Sequence, residues 1–498
     1  MSTAMLVADN FSVQETTIAE VHAAFKSGEL TARQLLETYL ERIDAFDKNG
    51  PAINSLISIN SRAVADASEL DAAFKRSGPV GPLHGIPVIV KDQINVKGLK
   101  TTLGSVLFRD YEPNSEGLAI TKLRIAGAII LGKSTLGELG GGDTHGSLFG
   151  STRNVYDLAR TAGGSSGGSG ASVSANFCAV ALGQEGYSSI RRPAVWNGIV
   201  GMRPTVGVVS RGGVYAGWPT INGSLGPMAR TVTDAAKLLD CIAGYDPADP
   251  VTAHAVGRMP ASYSRNLDKN ALRGARLGIL RTPTGYQSEP GSDDFMKVDR
   301  VFNEAVIELR NAGAEVIDPI EIPDLVSLLA TRAKDAEADD AMFELFFSEG
   351  NAPFATRKQA MASPVFAQVV KGSQARWKAD VPERHHAYMK ARDILMTNML
   401  KVMADHRLDA IVHKGVEHQP TLIEQGIKPP FADQKGAWHI NTFLVFVPSI
   451  VVPAGFTQDN LPVGITFLGR PFDDAKMLDL AFSYEQATRH RRPPTTTP

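Results

Sequence analysis

Residues 161–170 read TAGGSSGGSG, and the domain organisation of the chain turns on how that run is taken. As a solvated glycine–serine linker it would separate two folding units. As packed backbone it would lie inside one unit, because residues without bulky side chains let neighbouring segments approach closely. It stands directly ahead of ASVSANFCAVALG (171–183), whose small residues suit a closely packed helix, and shortly before EGYSSIRRP (185–193). On spacing alone both readings stay open.

Outward from that run, helical and strand patterns alternate. Residues 15–45 place apolar side chains at three- and four-residue spacing, which predicts two amphipathic helices joined at Ser27 and Gly28. GIPVIVKDQINV (85–96) reads as a short buried strand ending in Lys91. GLAITKLRIAGAIILGKSTL (117–136) reads as a helix, a stop at Gly127 and the strand AIIL. Further on, GIVGMRPTVGVVS and ARLGILRT predict strands, TVTDAAKLLDCIAGY a helix, and DDFMKVDRVFNEAVIELRNAGAEVI a helix followed by a strand. From Pro323 to Gln425 the pattern is mainly helical, with Met342, Phe343, Phe346, Phe347 and Trp377 scattered through it. Those aromatics either form the core of a helical subdomain or line a substrate pocket. The strand pattern resumes at LDAIVHKG (408–415) and at 445–471, a last helix covers 473–490, and the terminal RRPPTTTP is expected to fray. This alternation predicts an α/β fold, a sheet covered by helices.

Composition bounds the function. The 498 residues are 43% hydrophobic and 21% charged, with a formal net charge of −2. That balance gives no electrostatic reason to expect nucleic acid or an anionic membrane as partner, so a small-molecule ligand is expected. No basic, apolar leader pattern opens the sequence, and no apolar run reaches the roughly 18 residues a membrane span needs. The two cysteines, Cys178 and Cys241, sit in apolar segments and read as buried thiols of a reducing, cytoplasmic protein.

Several formal motifs fail on inspection. GAIILGKS (127–134) fits a phosphate-loop spacing, but Ala-Ile-Ile-Leu favours a buried strand over an exposed cradle, so Lys133 is not assigned to nucleotide. His385 and His386 are adjacent, and His413 and His418 lack a matching ligand set; no metal and no cofactor are expected. The serines fare better. Ser189 follows Gly186 in a turn able to expose its hydroxyl beside several amides, and the glycine–serine run precedes a helix whose N-terminus favours negative charge. Lys91 ends a strand that reads as fully buried, where desolvation would free its lone pair.

Five blocks, at 81–105, 126–139, 151–171, 183–204 and 447–472, occur in the order seen in the amidase signature family, which the chain resembles over about residues 15–490. The resemblance implies a single domain over 1–498 with a mixed central sheet covered by helices on both faces, and a variable helical substrate cap at 323–425. It implies a Ser-cisSer-Lys triad: Ser189 as nucleophile, Ser165 as the bridging cis serine, and Lys91 as base. The 24-residue separation of the serines matches the family register and selects Ser165 over Ser166 and Ser169, while the following IRRP selects Ser189 over Ser188. The amides of Gly186, Tyr187, Ser188 and Ser189 would form the oxyanion hole, with Ser166 and Arg191 in support. An unshifted lysine is neutral in only about one molecule in 10³ at pH 7, so burial must carry the activation.

The chain departs from the family in one loop. QEGYSS (184–189) stands where relatives carry small glycines, which argues against the role of a glutamyl-tRNA amidotransferase component and leaves the loop's shape unassigned. LGGGDTHGS (139–147) occupies the place of a loop bordering the acyl site, and Gly140, Gly141 and Gly142 are expected to leave room for bulky substrates. Within the family the chain looks like the bacterial aryl-acylamidase and urethanase members, a subdivision taken from the altered loop, so anilides, carbamates and esters join amides as expected substrates. The alternatives are a non-catalytic scaffold and the ammonia-supplying component of an amidotransferase. Oligomeric state leaves no mark on the sequence.

Overall fold

Two threonines start the fold. Thr17 and Thr31 each close a capping box, with Glu20 and Gln34 as the reciprocal partners, and so begin the helices Ile18–Ser27 and Ala32–Ile43. Between them Gly28 adopts a left-handed conformation (φ 81°), which ends the first helix where the sequence predicts. In the computed structural model, residues 11–377 and 382–498 are described. The first ten residues, on which the reading of the N-terminus partly rests, lie outside them.

Among the described residues eleven strands form one mixed sheet: β1 (Leu56–Ile59), β2 (Pro87–Lys91), β3 (Ile129–Ser134), β4 (Val180–Glu185), β5 (Val200–Arg203), β6 (Ser224–Ala229), β7 (Arg276–Leu280), β8 (Glu315–Ile320), β9 (Ala410–Lys414), β10 (Ser449–Phe456) and β11 (Pro462–Leu468). Their spatial order is β1-β3-β2-β4-β6-β5-β10-β11-β9-β7-β8. Strands β3, β2 and β4 run parallel, as do β9, β7 and β8, and the pairs between these groups are antiparallel. Every residue of β2, β3, β4, β6 and β11 is buried, as expected for strands with helices packed over them. The partly exposed edge strand β8 carries Pro319, a residue that cannot donate to a further strand.

The run at 161–170 is buried throughout and cannot be a linker. The helix after it spans Gly167–Ser174, earlier than the sequence predicts, and Val180–Leu182 lie in β4. Asn176 at φ 58° turns the chain from helix to strand. Close packing explains glycine in this helix: a side chain at Gly168 would collide with Thr135 Oγ1 and the Ser55 carbonyl.

The terminal residues 491–498 do not fray. Arg491 pairs with Glu15 at 2.8 Å and donates to the Ser174 carbonyl at 3.0 Å, while Arg42 donates to the carbonyls of Thr497 and Pro498 at 2.9 Å each. Apart from residues 378–381, which are not described, the region 323–425 is helical up to Asp405 and then contributes β9 to the main sheet. Its aromatics Phe343, Phe346, Phe347 and Trp377 form a buried cluster with Phe108, Tyr111 and Tyr215. Of the two sequence readings for them, the core is the one observed.

Candidate active site

The parallel strands β2 and β4 end side by side, and their last residues build the base of the site. Lys91 is fully buried, its Nζ lies 2.7 Å from Ser165 Oγ, and it donates to the Gln184 carbonyl at 3.2 Å. Burial holds the amine well below the usual lysine value; the Glu185 carboxylate pulls it back up and Arg192 pushes it further down.

The glycine–serine run crosses above this lysine. The peptide between Gly164 and Ser165 is cis. Arg192 secures it from behind, donating to the Gly164 carbonyl through Nε at 3.0 Å and Nη2 at 2.8 Å, and to the Gly142 carbonyl at 3.1 Å. Ser166 reaches Gln184 with both its roles, accepting from the amide and donating to the carbonyl at 3.3 Å each, and its own amide donates to the Ser189 carbonyl at 3.1 Å. Ser169 turns away to the Leu182 carbonyl. The structure thus joins Lys91 to Ser165 by side chains and Ser166 to Ser189 by backbone. Among the described residues Ser165 and Ser189 share no side-chain hydrogen bond.

Glu185 shapes the loop that follows. Its carboxylate accepts from the amides of Ile190 and Arg191 at 2.9 Å each and from Arg191 Nε at 2.7 Å, folding residues 186–189 into a tight arch. Among the described residues the amides of Gly186, Tyr187, Ser188 and Ser189 donate to no protein acceptor. Successive unpaired amides beside a cavity are the donors an oxyanion needs. Ser189 lines that cavity with Gly186 and Tyr187, whereas the Ser188 hydroxyl is buried without a partner. Tyr187, in place of a small residue, stacks on His439 with 5.2 Å between ring centroids and carries Arg332 at 4.7 Å.

The cavity encloses about 510 Å³. Gly140, Gly141 and Gly142 line it, but the room beside them is taken: the Arg376 guanidinium fills the space a side chain would need at Gly141 and Gly142, donates to the Gly141 carbonyl at 2.8 Å and pairs with Asp433 at 3.2 Å. A second chamber of about 770 Å³ adjoins beyond Arg376. The helical region faces the cavity with Arg332, Asp339, His385, Tyr388 and Arg392 rather than with its aromatic cluster. Sequence reasoning missed Arg376 and Arg392 as well as Arg192, whose only signal is the doubled arginine after Ser189.

The excluded motifs find structural roles. Lys133 lies in β3 and pairs with Asp92 at 3.0 Å, both fully buried. His413 stacks on Trp438, and burial pushes it down to about 3. His418 meets Asp294 at 2.9 Å. Both cysteines are free, Cys178 buried and Cys241 half-buried.

A family model described as Amidase matches residues 34–478. The chain is 32% identical to a probable amidase of Arabidopsis thaliana, covering 98% of this chain and 93% of that protein. It is equally 32% identical to a glutamyl-tRNA(Gln) amidotransferase subunit of Thermoanaerobacter pseudethanolicus, over 96% and 97% of the two chains. Among solved structures, the native peptide amidase from Stenotrophomonas maltophilia matches with a TM-score of 0.85 and 34% identity, covering 97% of this chain and 99% of that one.

Proposed function

The chain belongs to the amidase signature family, and we propose that it hydrolyses carboxamide C–N bonds through an acyl-enzyme on Ser189. The observation that carries this reading is the 2.7 Å approach of buried Lys91 to Ser165, beneath a cavity bordered by Ser189 and unpaired amides.

Neutral Lys91 takes the proton of Ser165, Ser165 takes that of Ser189, and Ser189 Oγ attacks the substrate carbonyl. The negative charge develops on the carbonyl oxygen among the amides of residues 186–189. As the C–N bond breaks, the proton returns through Ser165 to the leaving nitrogen. Water then attacks the acyl-enzyme through the same relay, releasing the acid and restoring the Ser189 hydroxyl. Arg191 and Glu185 hold the arch in place, and Ser166 fixes the Gln184 backbone that also receives Lys91.

The similarity to a peptide amidase and the polar face that the helical region presents favour amides with polar acyl portions. We take that region to act as a substrate cap. Anilides and carbamates form a narrower reading, favoured by Tyr187 as an aromatic wall beside Ser189. The similarity to an amidotransferase component keeps ammonia supply as the alternative. Among the described residues no helix is long and apolar enough to cross a membrane; with two free thiols, a cytoplasmic site of action is our reading.

The test is a panel of primary amides, anilides and aryl carbamates presented to the purified chain alone. Turnover that disappears in Ser189→Ala supports the proposal. Turnover only with a partner protein present favours the amidotransferase role, and unchanged turnover in Ser189→Ala rejects the mechanism.

A further inference from the structure

The cavity that Ser189 borders contains a buried arginine that no carboxylate among the described residues neutralises. Arg392, on the helix Pro382–Asp405, is 9% exposed and lines this cavity. Among the described residues its guanidinium makes no ion pair; its one hydrogen bond is to the thioether of Met389 at 3.5 Å, and the Tyr388 ring lies 5.7 Å away. A thioether is a weak acceptor, so a group with five donors is left almost unspent. Burial depresses its affinity for a proton by more than Tyr388 and the exposed Asp393 on its own helix raise it, and Arg203 in β5 is close enough to repel it.

Among the described residues the carboxylates at the cavity already have partners. Asp339 faces Arg357 at 3.5 Å, Asp335 faces His385 at 3.6 Å and caps a helix amide, and Arg376 holds Asp433. An unpaired arginine withdrawn from water is costly unless a ligand completes it. Its planar fork matches a carboxylate in two parallel hydrogen bonds.

Resting on the hydrolytic reading above, we propose that the substrate is an amide whose acyl portion carries a remote carboxylate, and that Arg392 is the residue that selects it. The carboxylate would lie against the helical side of the cavity while the amide carbonyl reaches Ser189 and the arch. Arg332, exposed at Tyr187, adds positive potential at the same wall.

Three p-nitroanilides of matched length test this: one with a terminal carboxylate on the acyl chain, one with a methyl, one with an amine. The expected order of kcat/KM in the parent is carboxylate over methyl by about 10- to 100-fold, with the amine last. Arg392→Glu reverses the order of the charged pair, and Arg392→Lys keeps a weakened preference for the carboxylate. Binding of the same three compounds to Ser189→Ala, measured by calorimetry, follows the same ranking and loses it when Arg392→Glu is added. Equal kcat/KM for the three in the parent, or a carboxylate preference that survives Arg392→Glu, overturns the inference while leaving amide hydrolysis intact. Binding that ranks as expected without any turnover would instead sustain the carboxylate site and reject the hydrolytic reading.

Discussion

Lys91 Nζ and Ser165 Oγ lie 2.7 Å apart with both residues closed to water. The pair has consequences for rate and for stability, and both depend on pH. A base must be neutral to accept a proton, so kcat/KM rises with pH through the Lys91 pKa and levels off above it. Because burial depresses that pKa, the acid limb lies well below the ordinary lysine value of 10.5. Glu185 raises it, so Glu185→Gln moves the limb to lower pH. A profile with no acid limb at any pH below 10.5, or a limb that moves upward in Glu185→Gln, contradicts Lys91 as base.

The same burial makes Lys91 a stability cost. Its folded pKa lies below its unfolded one, so between the two values the unfolded chain binds more protons. The cost is full below the folded pKa and vanishes as pH rises to the unfolded value. Lys91→Met is therefore expected to abolish activity yet raise the melting temperature at pH 7, with the gain shrinking toward pH 10.5. Thermal unfolding across that pH series checks it.

How much of this was legible in the sequence follows from how local each signal is. The helices at 18–27 and 32–43 announce themselves because Thr, Gly and Glu or Gln act within three or four residues of one another. Lys91 is visible as the polar end of an apolar strand. Ser165 and Ser189 could be picked from neighbouring serines only through resemblance, since among the described residues no side-chain hydrogen bond joins them and the bond to the Ser189 carbonyl comes from the Ser166 backbone. Strand β6, reading SLGPMA, carries no apolar alternation because it is buried within the sheet, and the sequence pattern passes over it. Arg376 and Arg392 were not legible: they reach the cavity from helices far along the chain, and solvent-facing arginines look the same in sequence.

Glu185 is expected to matter beyond its charge. Its carboxylate ties down two amides and the Arg191 side chain just past the arch. Glu185→Ala releases them, and kcat should fall by about 10²-fold with a smaller change in KM, the signature of a lost oxyanion geometry. Steady-state kinetics on one amide separates the two constants. A rise in KM alone would place Glu185 in ground-state binding instead.

Arg376 is expected to set substrate size. Its guanidinium occupies the space beside Gly141 and Gly142 and stands between the cavity and the adjoining chamber. Arg376→Ala should raise kcat/KM for bulky anilides relative to acetanilide by about 10- to 200-fold, the roughly 1–3 kcal/mol that a pocket of altered size discriminates. An unchanged ratio would show that the glycine loop does not border the acyl group.

The docked terminus predicts a global effect far from the site. Arg491 joins Glu15 to the carbonyl of Ser174, at the end of the helix that follows Ser165. Arg491→Ala leaves a partly buried carboxylate unpaired and should cost about 3 kcal/mol. Urea unfolding reads this as a lower midpoint at unchanged slope. A midpoint equal to the parent's would mean that the terminal contacts contribute nothing in solution.

Catalysis as proposed requires that Ser189 become acylated. The most direct measurement treats the purified chain with an aryl sulfonyl fluoride, digests it and locates the modified residue by mass spectrometry. One adduct is expected, on Ser189 and not on the buried Ser188, forming faster as pH rises and absent from Lys91→Met. An adduct on Ser188 or on no serine of the 184–189 loop, with catalysis intact, would contradict it.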